Sequence, residues 1–266
     1  MRETLTVFVG LGIGVLVGLM GIGGGTVAVP AMVYLLGLDQ HAAQGTSLFM
    51  QLPPLGLGAL WVYWKNHRVD LPAGIVCALG FLPGGYAGGL IALAIPSRNL
   101  QGLFGLFLVL SAAMLWRQGR GGNQAPSPAR DVDPSRIQAA DARAARLAGI
   151  LAMACIVGVA SGLFGIGGGV LLVPLLVLLF GFEQHRAQGT SLVAMVPPTG
   201  AFAFLAYYRA HQVDMKVALL LIPGFVVGGI LGGKIASKLP SRHMRVVFGA
   251  FLFVVGAWQA VSLWTK

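Results

Sequence analysis

Three consecutive glycines set in strongly apolar sequence constrain this chain more than any other feature, and they occur twice. Gly18-Leu-Met-Gly-Ile-Gly-Gly-Gly-Thr-Val-Ala-Val-Pro30 leads to Gln44-Gly-Thr-Ser47, and 144 positions later Gly162-Leu-Phe-Gly-Ile-Gly-Gly-Gly-Val-Leu-Leu-Val-Pro174 leads to Gln188-Gly-Thr-Ser191. Each glycine costs a helix about 1 kcal/mol relative to alanine, so a triplet marks a break and not a continuous helix. What the glycines supply is a freed backbone, with N–H groups unpaired and room for close approach. Inside a bilayer such a break survives only where protein covers it or it lines a wet cavity. The repeated stretch is therefore the candidate working centre.

The bilayer itself follows from composition. Of 266 residues 56% are hydrophobic and only 10% charged, against about 25% charged in a soluble globular chain. Apolar runs near the ~20 residues needed to cross a hydrocarbon core recur throughout. The net charge of +10 sits in short loops and one central segment, where it reads as an orientation signal and contact with acidic headgroups; no nucleic-acid site is expected. Cys77 and Cys155 lie in separate apolar runs with no metal-ligand spacing and read as packing residues. The apolar N-terminus runs straight into the glycine motif without a cleavage site and is kept as a span.

The expected fold is an all-α polytopic membrane protein of two homologous halves, residues 1–117 and 147–266, joined by a polar linker at 118–146. Each half has about four spans plus a short broken or re-entrant helix at its glycine motif. In half one these are residues 4–20, the half-helix 26–37, a span at 44–64 kinked by Pro53-Pro54, then 71–95 and 98–116. A dozen residues make only about 18 Å of helix, too short to cross. Half two repeats the plan at 147–163, 170–180, 188–208 with Pro197-Pro198, 215–239 and 242–264. Asp133-Pro134 reads as a helix start leading into the second half. The duplication is gap-free, with 20 of 31 positions identical between 18–48 and 162–192. With four crossings per half, twelve Lys and Arg fall on one side and six on the other, which puts both termini and the linker in the cytoplasm. Five crossings per half would instead invert the repeats, an arrangement this count disfavours.

The acids are informative by position. All eight Asp and Glu lie in loops or at termini, whereas cation pumps and proton relays keep carboxylates within the membrane. Freed N–H groups, helix N-termini and neutral hydroxyls suit an anion instead. The candidate substrate-binding residues are Gly23, Gly24, Gly25, Gln44, Gly45, Thr46 and Ser47, with Gly167, Gly168, Gly169, Gln188, Gly189, Thr190 and Ser191. Close helix packing is the alternative role for the glycines, and helix capping for the Gln-Gly-Thr-Ser segments. His41 and His185, matched across the repeat, read as loop-end polar residues with proton coupling as the alternative. Gln51 faces Met195 across the repeat, so the two sides of a site need not be equivalent. No clustered metal ligands or nucleophile–base pair occur in the spans, so neither an enzyme nor a cofactor is expected.

The paired G-x-x-G-I-G-G-G-x-x-x-x-P and A-Q-G-T-S motifs, each followed by Val-Asp after a span, resemble those of the TauE/SafE sulfite exporter family. The likeness covers nearly the whole chain apart from the linker. It implies a bacterial inner-membrane permease exporting sulfite, sulfoacetate or another organosulfur anion. A passive anion channel, or a carrier of a different small organic anion, is the alternative. The expected partners are a small anion and the lipid bilayer; coupling to a proton gradient is left open.

Overall fold

The computed structural model describes residues 2–20, 24–52, 57–120, 136–195, 200–236 and 241–261. Among them every regular element is an α-helix. In half one these are α1 (Arg2–Met20), α2 (Gly25–Leu35), α3 (Gln40–Met50), α4 (Leu57–Lys65), α5 (Leu71–Ala94) and α6 (Ser97–Arg120). In half two they are α7 (Arg136–Phe164), α8 (Gly169–Phe180), α9 (Gln184–Met195), α10 (Gly200–Arg209), α11 (Met215–Ala236) and α12 (Ser241–Val261). The expected spans at 44–64 and 188–208 are each two short helices, α3 with α4 and α9 with α10. Both proline pairs, Asp133-Pro134 and Gly23 lie outside the described residues.

By length and apolarity three helices can cross a membrane, α5, α7 and α11, and the pair α9–α10, bent by 43°, makes a fourth. Parts of α1 and α12, with α2 and α8, form shorter apolar helices. The chain is thus a polytopic helical membrane protein assembled partly from half-length pieces.

Local chemistry sets the helix starts. Asp39 caps α3 by accepting the His41 N–H, and Asp70 caps α5 by accepting that of Ala73, with Pro72 in the first turn. Asp214 does the same for α11 through Val217. His67 and His211 both take a left-handed backbone, at φ 54° and 55°, in the turns before these caps.

The halves are interleaved. The most extensive helix pairings are α1 with α11, α5 with α7 and α6 with α12, all between halves. Gly84 lies on the Cys155 carbonyl and Gly228 on the Leu11 carbonyl, so a methyl group at either would collide with the partner backbone. Small residues at these positions let the helices approach closely. Cross-half hydrogen bonds also recur with the halves exchanged. Thr46 Oγ1 accepts the Asp214 N–H at 2.9 Å, and Thr190 Oγ1 accepts the Asp70 N–H at 3.0 Å. Ile13, Met32, Phe104 and Leu108 of half one share one core with Phe164, Ile166 and Leu252 of half two.

Helix directions follow from which ends touch. Helices α1 and α11 are parallel: Glu3 pairs with Lys216 at 2.7 Å, and Gly10 and Gly14 lie on Leu221 and Phe225. Near its N-terminus, α3 meets the last turn of α5, where His41 Nε2 lies 2.9 Å from the Ala92 carbonyl and 3.1 Å from that of Ile95. Only five residues further on, Thr46 holds the start of α11. About 8 Å of helix separates the two contacts, whereas α5 is some 36 Å long at the same rise. The C-terminal end of α5 and the N-terminal end of α11 therefore share one end of the molecule. These two equivalent helices run in opposite directions, and the repeats are inverted.

This overturns the expectation of an even number of crossings. The glycine break and α2 together carry the chain back to the end where α1 began, which makes each half odd. The start of α1 and the end of α12 consequently lie at one end, and the end of α6 with the start of α7 at the other. Inverted repeats meeting at discontinuous helices are a recurrent plan among membrane transporters.

Candidate functional site

The second glycine break is fully described. After α7, Gly165, Gly167 and Gly168 adopt φ of 67°, 71° and 66°, and Gly168 leads into α8 without a side-chain cap. This region is costly for residues with a Cβ. At Gly168 a Cβ would also run into the ring of Phe81. Phe81 stands near the middle of α5, so the break sits at mid-depth. The first break is seen at its exit, where Gly24 precedes α2, again with no side-chain cap. Its backbone is ordinary right-handed helix at φ −62° and ψ −29°. It faces the ring of Phe225, the repeat equivalent of Phe81.

The two breaks converge. Gly25 rests on the carbonyl of Gly165 and on Ile166, while Gly165 rests on the backbone of Gln44. One face of α3 looks onto this meeting point. Ser47 Oγ donates to the Gly165 carbonyl at 2.9 Å. Gln51 Nε2 lies 3.1 Å from both the carbonyl and the hydroxyl of Ser47, and its Oε1 fills the space beside Gly167. The equivalent position in half two is the thioether of Met195, against Gly169. Gln51 was absent from the candidates, although its spacing from Gln44 and Ser47 puts all three on one helical face.

The Gln-Gly-Thr-Ser segments divide their residues between two tasks. Thr46 and Thr190 accept N–H groups from the turns entering α11 and α5, and Gly45 and Gly189 lie on the Gln212 and Arg68 carbonyls beside them. These four join the halves, and on α3 they do so from a face turned away from the one that carries Gln44 and Ser47. Ser191 Oγ donates within its own helix to the Gln188 carbonyl at 2.8 Å. Gln44 and Gln188 each meet a tyrosine from the other half: Tyr207 donates to Gln44 Oε1 at 3.0 Å, and Tyr63 to Gln188 Oε1 at 2.8 Å.

That second pair of contacts is not symmetric. Tyr207 is fully buried and also reaches the Gly162 carbonyl at 2.9 Å, whereas Tyr63 is only half-buried. Gln44 is fully buried and its Nε2 meets no partner among the described residues, an omission that costs a buried amide about 1–3 kcal/mol. His41, half-buried, links the start of α3 to the last turn of α5. The described charged side chains gather towards the helix ends, leaving the convergence to amides, a hydroxyl and backbone. Such groups include N–H and O–H donors that an anion can use.

Inverted halves, crossed at glycines and broken at mid-depth, define a membrane transport protein. The chain belongs to the sulfite exporter TauE/SafE family, whose profile matches residues 5–258. The probable membrane transporter protein YunE of Bacillus subtilis (strain 168) is 30% identical over 96% of this chain and 96% of its own length. A probable membrane transporter protein of Xylella fastidiosa (strain 9a5c) is also 30% identical, over 99% and 98%. MJ0441 of Methanocaldococcus jannaschii, named a probable membrane transporter protein too, is 27% identical over 96% and 94%. No solved structure matches the chain.

Proposed function

We propose that this protein carries a small anion, sulfite or an organosulfonate, outward across the cytoplasmic membrane. The observation that carries the reading is the convergence of two uncapped glycine breaks at mid-depth beside neutral donors. A helix start carries roughly half a positive charge and outward-aimed N–H groups, and α2 and α8 both start there. The substrate contacts are assigned to Gly24, Gly25, Gly167, Gly168 and Gly169, with Gln44, Ser47 and Gln51; Gly23, Gln188 and Ser191 complete the set by symmetry. Rocking of the halves about this site alternates access. Close packing of Gly25 on Gly165 favours such a carrier over an open channel.

Orientation follows from the helix directions. Among the described residues eleven Lys and Arg fall at the end where α6 finishes and α7 begins, Lys65, Arg68, Arg117, Arg120, Arg136, Arg143, Arg146, Arg186, Lys234, Arg242 and Arg245, against Arg2, Arg98, Arg209 and Lys216 at the other. By the positive-inside rule this end is cytoplasmic and both termini face outward, the reverse of the count made on even crossings. Counterflow in proteoliposomes tests the function. Unlabelled sulfite trapped inside should accelerate and overshoot the entry of radiolabelled sulfite. Flux linear in concentration without counterflow would make the protein a channel, and no flux of sulfite or sulfoacetate would remove the substrate class.

A further inference from the structure

The polar groups on α3 do not stop at the glycine break. Gln40, Gln44, Ser47 and Gln51 fall at intervals of four, three and four residues, which stacks them along one helical face. That face leads from the break to the end of the molecule carrying the termini. The first three are buried, yet neither atom of the Gln40 carboxamide and not the Gln44 Nε2 meets a hydrogen-bond partner among the described residues. Buried amides are nearly always satisfied, so the two carboxamides left short on this face, Gln40 and Gln44, are groups that water or a solute would satisfy.

What closes that face is equally specific. Tyr207 of α10 reaches the Gln44 amide and the Gly162 carbonyl of α7 together, and α10 packs on α3, α5 and α7. Its repeat counterpart, α4, packs on α9, with Tyr63 half-buried where Tyr207 is fully buried.

We propose that the Gln40, Gln44, Ser47 and Gln51 face is the wall of the anion's route between the glycine breaks and the termini end, shut in this structure by Tyr207. Resting on the anion-carrier reading, it adds the path and the latch. Carboxamides suit the task because they donate to an oxyanion and also hydrogen-bond its accompanying water. When the halves rock, α10 releases α3 and α4 takes the closed position at the opposite end.

Accessibility of Gln40→Cys tests this. It is placed in the full chain with Cys77 and Cys155 replaced by alanine, reconstituted in vesicles sorted for orientation, and challenged with a membrane-impermeant thiol reagent. With the latch intact the cysteine should react slowly from either side. Tyr207→Phe should speed labelling from the termini side by about threefold to tenfold, the population shift that loss of one buried hydrogen bond brings. Gln44→Leu breaks the same latch from its other partner and serves if the tyrosine variant does not fold. Sulfite flux is measured on the same vesicles. Labelling that the latch variants leave unmoved, or that comes from the linker side, overturns the route even if sulfite flux is intact. Accelerated labelling without sulfite flux upholds the route and removes the substrate instead.

Discussion

The two glycine breaks share the letters G-I-G-G-G and differ where both are described, at the entry to the half-helix. At the second, Gly168 holds a left-handed backbone pressed on Phe81, and a carboxamide from Gln51 fills the turn beside Gly167. At the first, Gly24 is in right-handed helix with Phe225 as its neighbour, and the position equivalent to Gln51 is Met195. A duplicated motif thus builds one left-handed, polar-lined turn and one right-handed exit. Inverted repeats in a single conformation need not be equal, since alternating access exchanges the roles of the halves.

The largest consequence is for alanine at the two breaks. Gly168→Ala adds left-handed strain of about 1–2 kcal/mol and overpacking against Phe81 of about 1–3 kcal/mol. Gly24→Ala adds no backbone strain and meets only the tip of the Phe225 ring at 3.1 Å, a cost of about 1 kcal/mol or less. Thermal unfolding in detergent should show the second break several-fold more sensitive. Equal losses would mean that the difference between the breaks carries no energy.

Where the halves do match, paired substitutions should match as well. Thr46→Val and Thr190→Val each strip the acceptor from one N–H at the start of a long helix, worth about 1–3 kcal/mol apiece. Their melting temperatures should fall together; a large gap would extend the asymmetry of the breaks to the ends. Gln51→Met, which copies half two into half one, is the finer probe. Removing its amide from the convergence should slow sulfite flux about twofold to tenfold, the scale of one net hydrogen bond. Met195→Gln should move flux less.

Much of this was legible in the residues. The triplets announced the breaks, and the dozen apolar residues after each announced half-helices. Crossing parity was not legible, because a helix of half the membrane thickness counts as a crossing or not only once its partners are known. The charge count inherits that ambiguity, so it placed the termini and the linker on one side. Thr46 and Gly45 sit beside Gln44 and Ser47 in sequence but on another face of α3, where they serve the other half. Tyr207 carried no signal of its own as one aromatic residue within a span. Its match to Tyr63 marked it only as repeated.

The smallest effect is at the outer end of the same α3 that lines the second break. Asp39 is pushed up by partial burial, but the Ser97 hydroxyl at 2.6 Å, the His41 N–H and the His41 ring outweigh this and hold its carboxyl below the ordinary range. A carboxylate depressed in the folded state adds stability above its unfolded pKa and loses it as pH falls through the folded value. Ser97→Ala lets the group rise. The variant should therefore melt slightly lower than the parent at neutral pH, and the gap should close on the acid side, once Asp39 is protonated in both proteins. With the side chain 56% exposed, solvent screening keeps the difference well below ~1 kcal/mol. A gap that persists unchanged into acid would assign the loss to the serine's packing and leave the charge at the head of α3 without a part in holding it.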